Sequence, residues 1–449
     1  MDYKPLHHRA DGGTAFILGD PRIDQQFHVL EADYTGATDA TPAINAALAT
    51  AAAARKLVFM KAGTLRLDTA VVPQSYTGLV GSGVGSTKLL PYGSESAIGT
   101  SSTSDRVEWV MRDFEIDGIN AVAAGNGVTT KGAYFLRYQR VHIERLLIRN
   151  THGTGLGIDH ITGNIRDVWA IDCGSGTRSS SETTPGHSGI GIGTGGLNAE
   201  WEPLTIAHCH VVNARRFGIF TESQAADPVP HPSGLTIIGC TATACQDGFG
   251  AAGPVGQQFI GNHAYANRNS GIRVDHGTMD GKYSTDAFIH SNHVHDNGVD
   301  GIVLDTYGGQ PMLRHVVQGN QVYGNGRHGI TVSASASGTA PRQYVRLDSN
   351  DIHGNGGHGI ALIERSGAAA AASPTYQRFT IEHNRMWNNT GAAVRVAHPT
   401  SGLVARFNQA WDDQAVATQT DGFSFDTALT HSSPTIESAL MEGVNTLPA

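Results

Sequence analysis

Short apolar runs, β-branched or alternating, recur through the second half of the chain: Ile302-Val303-Leu304, Ile330-Thr331-Val332 and Val345-Arg346-Leu347. Turn residues bound each run and no helical period links them, so the pattern predicts short strands. Polar punctuation repeats with them. Asparagine, four residues, asparagine, three more and then glycine reads Asn262/Asn267/Gly271, Asn292/Asn297/Gly301, Asn320/Asn325/Gly329 and Asn350/Asn355/Gly359, with a copy two residues tighter at Asn384/Asn389/Gly391. The glycines advance by 30, 28, 30 and 32 residues. That spacing is too short for a self-contained domain, so each copy is one coil of a stack.

Two or three strands per coil with Gly/Asn corners describe a single-stranded, right-handed parallel β-helix, an all-β solenoid whose coils stack at about 4.8 Å. An inward Asn on every coil can hydrogen-bond its copies above and below and satisfy corner backbone that is otherwise buried unpaired. The Asn columns are therefore expected to be structural. Cys209 and Cys240 fall at the first Asn position, Cys245 near the second, and Cys173 in a similar pre-turn context. All four are expected to fill the inside of a corner. Stacked Cys209 and Cys240 satisfy the Cα distance of a disulfide, with orientation left open.

One helix is expected, over about residues 42–55, with Thr41 as N-cap and Pro42 at its first position. It would cap the first coil, whose edge otherwise exposes unpaired strand backbone. The division expected is an N-terminal extension (1–28), a β-helix domain (29–413) and a C-terminal cap or tail (414–449). Two stretches, Gly174 to His187 and Ala225 to Ser233, break the period and are expected as loops beside a groove.

The chain has 449 residues, 56 of them glycine, 7% aromatic residues and a net charge of −9. Solenoids have no size ceiling, so one elongated domain accommodates this length. The negative charge, without a compensating Lys/Arg cluster, argues against nucleic acid. No run approaches the ~20 apolar residues of a membrane span. Met1 to His28 lacks an apolar h-region, which predicts no cleavable secretory signal there. Function is expected outside the cell or on a virion, with the cytoplasm left open, and in a monomer or a homotrimer.

Candidate chemistry lies four residues after each coil glycine, where the chain carries Asp159, Gly193, Glu222, Ala252, Asp275, Asp305, Ser333, Ile363 and Arg395. The preceding positions, Val274, Leu304, Val332 and Leu362, are apolar and read as inward, which puts the carboxylates outward or at a strand's end. Asp275 and Asp305 on adjacent coils would have Cα atoms about 5 Å apart and need a cation, a proton or a substrate group between them. His276 follows Asp275, Arg327-His328 precede Gly329, and Tyr283 and Tyr307 lie close in sequence. Asp, His, Arg and Tyr together are the parts for abstracting a proton α to a uronate carboxylate. Asp275, His276, Asp305, His328 and Glu222 are thus the candidate catalytic groups; Arg327, Tyr307, Tyr283, Asp159, Lys282 and Arg216 are candidates for substrate binding. No cofactor is required; an Asp pair can hold Ca²⁺ through oxygen ligands, although nothing in the spacing demands it.

The segments Asp39–Leu48, Val58–Leu67 and Gly81–Lys88 resemble the entry of pectate-lyase-like β-helix proteins, a group of polysaccharide lyases, alginate C5-epimerases and phage tailspikes. His295-Asp-Asn-Gly-Val-Asp-Gly-Ile-Val-Leu-Asp305 and Tyr323-Gly-Asn-Gly-Arg-His-Gly-Ile-Thr-Val332 resemble consecutive segments of alginate C5-epimerase catalytic modules. The resemblance puts Asp305 in the place of a catalytic aspartate, Arg327 of a substrate-binding arginine and His328 of an active-site histidine. In Ser270–Gly277, Asp275 matches an aspartate of those modules, but Ile272 stands where they carry an essential tyrosine and His276 comes one place early. Three functions remain open: a lyase or epimerase on an acidic glycan, a glycoside hydrolase using Asp275/Asp305 or Glu222/Asp275, and a noncatalytic glycan binder of the tail-fibre or adhesin kind.

Overall fold

The computed structural model describes residues 26–99, 106–122, 130–159, 162–175, 187–194, 203–223, 234–253, 256–275, 284–305, 312–334, 342–364, 376–397, 400–411, 423–425, 431–432 and 435–436. The chain divides into two compact units, residues 1–187 and 188–449.

In the first unit, parallel strands stack through Phe27–Val29, Leu57–Phe59, Thr77–Val80, Trp109–Asp117, Val141–Arg149 and Gly163–Ile171, with Met111 between Leu79 and Ile143. An α-helix, α1, spans Thr41–Ala53. Its buried face is Thr41, Ile44, Ala47, Leu48 and Ala51, and it packs on the first three strands of that stack. The cap differs from expectation. Ala40 is the N-cap residue and makes no side-chain cap; the Asp39 carboxylate accepts the N–H of Thr41 at 2.9 Å and of Asp68 at 3.1 Å. Asp39 wins because one carboxylate ties the helix start to the neighbouring strand end, a contact that local sequence does not display.

The second unit repeats one coil. Phe288–His290, His293–His295, Ile302–Asp305 and Met312–Leu313 pair in parallel with Val316–Gln318, Gln321–Tyr323, Ile330–Ala334 and Arg342–Gln343 of the next coil. The two-residue strand makes a fourth row beyond the two or three expected. Central residues point inward: Ile289, Val317 and Leu347 stack in the first row, Val294, Val322 and Ile352 in the second, and Val274, Leu304, Val332 and Leu362 in the third, all fully buried. Stacking also continues where the Asn/Gly pattern has stopped, since Phe423–Phe425, His431–Ser432 and Thr435–Ile436 pair in parallel with the preceding coil.

The asparagines form the two expected ladders. Each Nδ2 donates to the Oδ1 of the next copy, at 2.9–3.0 Å from Asn262 through Asn292, Asn320 and Asn350 to Asn384, and at 2.9 Å from Asn267 through Asn297, Asn325 and Asn355 to Asn389. The same Oδ1 accepts the backbone N–H of the Asn before it, as Asn325 does from Asn297 at 3.1 Å. The first ladder runs on to Asn408. Cys240 lies at the upstream end of the first ladder and Cys245 at that of the second, their N–H groups bonded to Asn262 and Asn267 Oδ1. All four cysteines are buried thiols, not disulfides, and the N–H of Cys209 meets Cys240 Sγ at 3.4 Å. Burial pushes the Cys173 thiol up to about 11.

Two glycines show why the pattern is strict. Gly324 has φ +63°, the left-handed conformation that every residue before a second ladder Asn adopts here, including Asp296 at +53°. At Gly301 a Cβ would lie 2.3 Å from Val322 Cγ1 and 2.6 Å from the carbonyl oxygen of Gly329. Adjacent coils approach too closely there for any side chain.

Candidate active site

Third-row strands end on the candidate carboxylates. Glu222 pairs with Ala252, Ala252 with Asp275, and Asp275 with Asp305. Asp275 and Asp305 are thus neighbours at strand ends, one interstrand spacing of about 4.8 Å apart at Cα, while Glu222 stands two coils from Asp275. The Asp305 carboxylate is 2% exposed. Its Oδ1 accepts the Ser333 hydroxyl at 2.7 Å, and Arg273 of the preceding coil reaches Oδ2 at 3.5 Å. The balancing charge that the aspartate pair was expected to need is therefore supplied, for Asp305, by the chain itself. Arg273 escaped sequence reading; its signal was its outward position in Ile272–Asp275, one residue before inward Val274.

Asp247, two coils below Asp300, is also buried, and desolvation raises its pKa against the pull of Arg273 and Arg216. Arg216 lies over the stacked rings of Phe217 and Phe220, 5.3 and 5.2 Å from their centroids.

Arg327 and His328 occupy the corner before the strand. Arg327 is paired with the buried Asp300 through Nε at 2.8 Å and through its NH2 nitrogen. Asp300 also accepts the His328 N–H at 3.0 Å. His328 Nδ1 then accepts the N–H of His358 at 2.9 Å, and His358 Nδ1 that of Ala392 at 2.8 Å, while the two rings stack 5.0 Å apart. This column is a third ladder, in which each side chain accepts a backbone N–H from the coil above. An Nδ1 used as acceptor leaves the proton of a neutral imidazole on Nε2, so His328 can donate from Nε2, while the one lone pair it could use as a base is engaged by the His358 N–H.

Desolvation lowers the His328 pKa to about 4, and that of His315, whose Nδ1 accepts the Ala287 N–H at 2.9 Å, to about 3. In the unfolded chain both would titrate near ~6.5. Below that pH the unfolded state binds more protons, so stability is complete above about 6.5 and falls as the pH drops toward the folded values. Thermal melts are expected to show a lower Tm at pH 5 than at pH 7, with the difference reduced in His328→Gln; a pH-independent Tm would contradict it.

Asp159 lies in the first unit. Its Oδ2 accepts the Tyr134 hydroxyl at 2.7 Å, and Lys131 Nζ sits 3.7 Å from the centre of the Tyr134 ring. Burial lowers the Lys131 pKa, and burial followed by the Asp159 hydrogen bond raises that of Tyr134. Neither partner was foreseen. His276, Lys282, Tyr283 and Tyr307 lie outside the described residues, as do most of the two expected loop insertions.

A family model described as "right handed beta helix region" matches residues 223–343. No curated protein matches the sequence. Among solved structures, the A-module of the Azotobacter vinelandii mannuronan C-5 epimerase AlgE6 is similar at 18% identity and TM-score 0.55, over 88% of this chain and 98% of that one. The Streptococcus pneumoniae surface protein and adhesin PfbA is similar at 12% identity and TM-score 0.57, over 89% and 100%. The catalytic unit of a GH87 α-1,3-glucanase from Streptomyces thermodiastaticus is similar at 15% identity and TM-score 0.51, over 90% and 68%. The chain has the right-handed parallel β-helix fold. No helix among the described residues is long and apolar enough to cross a membrane.

Proposed function

We propose that the chain is a carbohydrate-active enzyme that cleaves a polysaccharide laid across the third-row strand ends, with Asp275 and Asp305 as its carboxylate pair. The observation that carries this reading is their register, adjacent residues on adjacent coils. Retaining glycosidases hold two carboxyl groups about 5 Å apart, one as acid and the other as nucleophile. Asp305, hydrogen-bonded by Ser333 and beside Arg273, is held in one orientation, which suits the nucleophile. Asp275 is then the acid. The substrate class is the one named for two neighbours of this fold, the epimerase and the glucanase, and such chemistry belongs outside the cell or on a virion.

A lyase or epimerase reaction on an acidic glycan is the second reading. Arg273, Arg216 and Arg327 favour it, as cations able to attract uronate carboxylates. The base is its difficulty, because His328 Nδ1 is committed to backbone. No cation is needed in either reading, so a calcium chelator is expected to leave activity unchanged.

Incubation with acidic and neutral polysaccharides, recording reducing ends and the ultraviolet absorbance of unsaturated uronates, tests the proposal. New reducing ends without absorbance are expected. Absorbance with new ends would replace hydrolysis by elimination, and binding without new ends would remove cleavage.

A further inference from the structure

A separate cluster lies on the outer face of the second row. His263 and His293 are register partners on adjacent coils, and His295 is two residues along the same strand as His293, on the same face. The three rings stand 4.7–4.9 Å apart, centroid to centroid, and offer three imidazole nitrogens that all lie within 4.8 Å of one another. Each residue is half-buried, so the cluster is anchored in the sheet yet open to solvent on one side.

Hydrogen bonding settles which nitrogens carry protons. Asp296 Oδ2 lies 2.8 Å from His295 Nδ1, and a carboxylate only accepts, so His295 carries its proton on Nδ1 and leaves Nε2 as a bare lone pair. His263 Nε2, 2.7 Å away, therefore donates to it. Asp296 stands to His295 as the outer carboxylate does in carboxylate–histidine–metal triads, orienting the ring.

We propose that His263, His293 and His295 bind one divalent transition-metal ion, of the Zn²⁺, Co²⁺, Ni²⁺ or Cu²⁺ class. Imidazole suits these ions, whereas Ca²⁺ and Mg²⁺ select oxygen. Ligands at roughly 2.0–2.1 Å around a tetrahedral ion stand about 3.3 Å from one another. The nitrogens of His263 and His295 need only separate by about 0.6 Å on that geometry, a small rotation of the rings, as the proton of His263 moves from Nε2 to Nδ1. Tyr323, whose hydroxyl is 2.8 Å from His293 Nε2, stands beside the open side of the cluster. The ion would join two adjacent coils across their register, and so stabilise the folded chain in proportion to its occupancy.

The test uses tag-free full-length protein, equilibrium dialysis against Zn²⁺ and elemental analysis, with thermal melts in Zn²⁺ and in Ca²⁺. One equivalent of Zn²⁺ and a raised Tm are expected, with no shift in Ca²⁺. His263→Gln, His293→Gln and His295→Gln should each lose that equivalent. Asp296→Asn, at an exposed position that does not endanger folding, should weaken binding by roughly ten- to a hundredfold. Co²⁺ in place of Zn²⁺ should give the intense visible absorption of a four-coordinate ion. The proposal is overturned if the wild-type chain retains no zinc, or if the histidine variants, folded by circular dichroism, and Asp296→Asn all bind it as the wild type does.

Discussion

Asp305→Asn is expected to lower the cleavage rate by about 10⁴-fold or more, as loss of a nucleophile does, while leaving the chain folded. Asparagine is nearly isosteric, and its carbonyl oxygen can still accept the Ser333 hydroxyl. What disappears is the charge beside Arg273, which the proposed mechanism uses as nucleophile. Arg273 is 22% exposed in its side chain, so water can take over part of the solvation its guanidinium loses, and the Tm should fall by only a few degrees. Melting curves on the same preparation separate the two effects. An unaltered rate with an unaltered Tm would remove Asp305 from the chemistry.

Asn325→Ala is expected to have the largest effect on stability, about 3 kcal/mol or more, although it touches no candidate catalytic group. The Asn325 Oδ1 accepts from Asn297 N at 3.1 Å and from Asn297 Nδ2 at 2.9 Å, while its Nδ2 donates to Val294 O at 3.4 Å and to Asn355 Oδ1 at 2.9 Å. Alanine removes all four and strands the buried N–H of Asn297, which has no water to turn to. Each orphaned buried group costs about 1–3 kcal/mol. The defect sits mid-ladder, where every coil depends on its neighbours. Chemical denaturation should show a shifted midpoint; a substitution at exposed Arg385 of the same unit should not. A midpoint unchanged in Asn325→Ala would mean that the ladders are ornamental.

The ladders were the most legible part of the molecule because stacking demands the same residue at the same corner of every coil, so the sequence interval is itself the register. Val274, Leu304, Val332 and Leu362 were legible for the same reason. The site was less so. Asp275 and Asp305 could be placed on neighbouring coils by counting, but Arg273 becomes the partner of Asp305 only through a side-chain direction across coils, which no interval encodes. His328 had the residue type and motif of a catalytic group, yet sequence cannot say which ring nitrogen is already bonded, and its Nδ1 serves the corner. His263, His293 and His295 were lost among 22 histidines, although His-x-His at 293–295 with another histidine thirty residues before His293 was visible on the page.

The stereochemistry of the first product tests the carboxylate pair most directly. Proton NMR of the newly released anomeric centre, recorded before mutarotation on whichever polysaccharide the chain cleaves, is predicted to show the configuration of the original bond. Retention follows if these register partners on adjacent coils hold their carboxylates about 5 Å apart, too close to seat a water between them. An inverted anomer, or an unsaturated uronate in place of a new anomer, would contradict the assignment of Asp275 and Asp305 as acid and nucleophile.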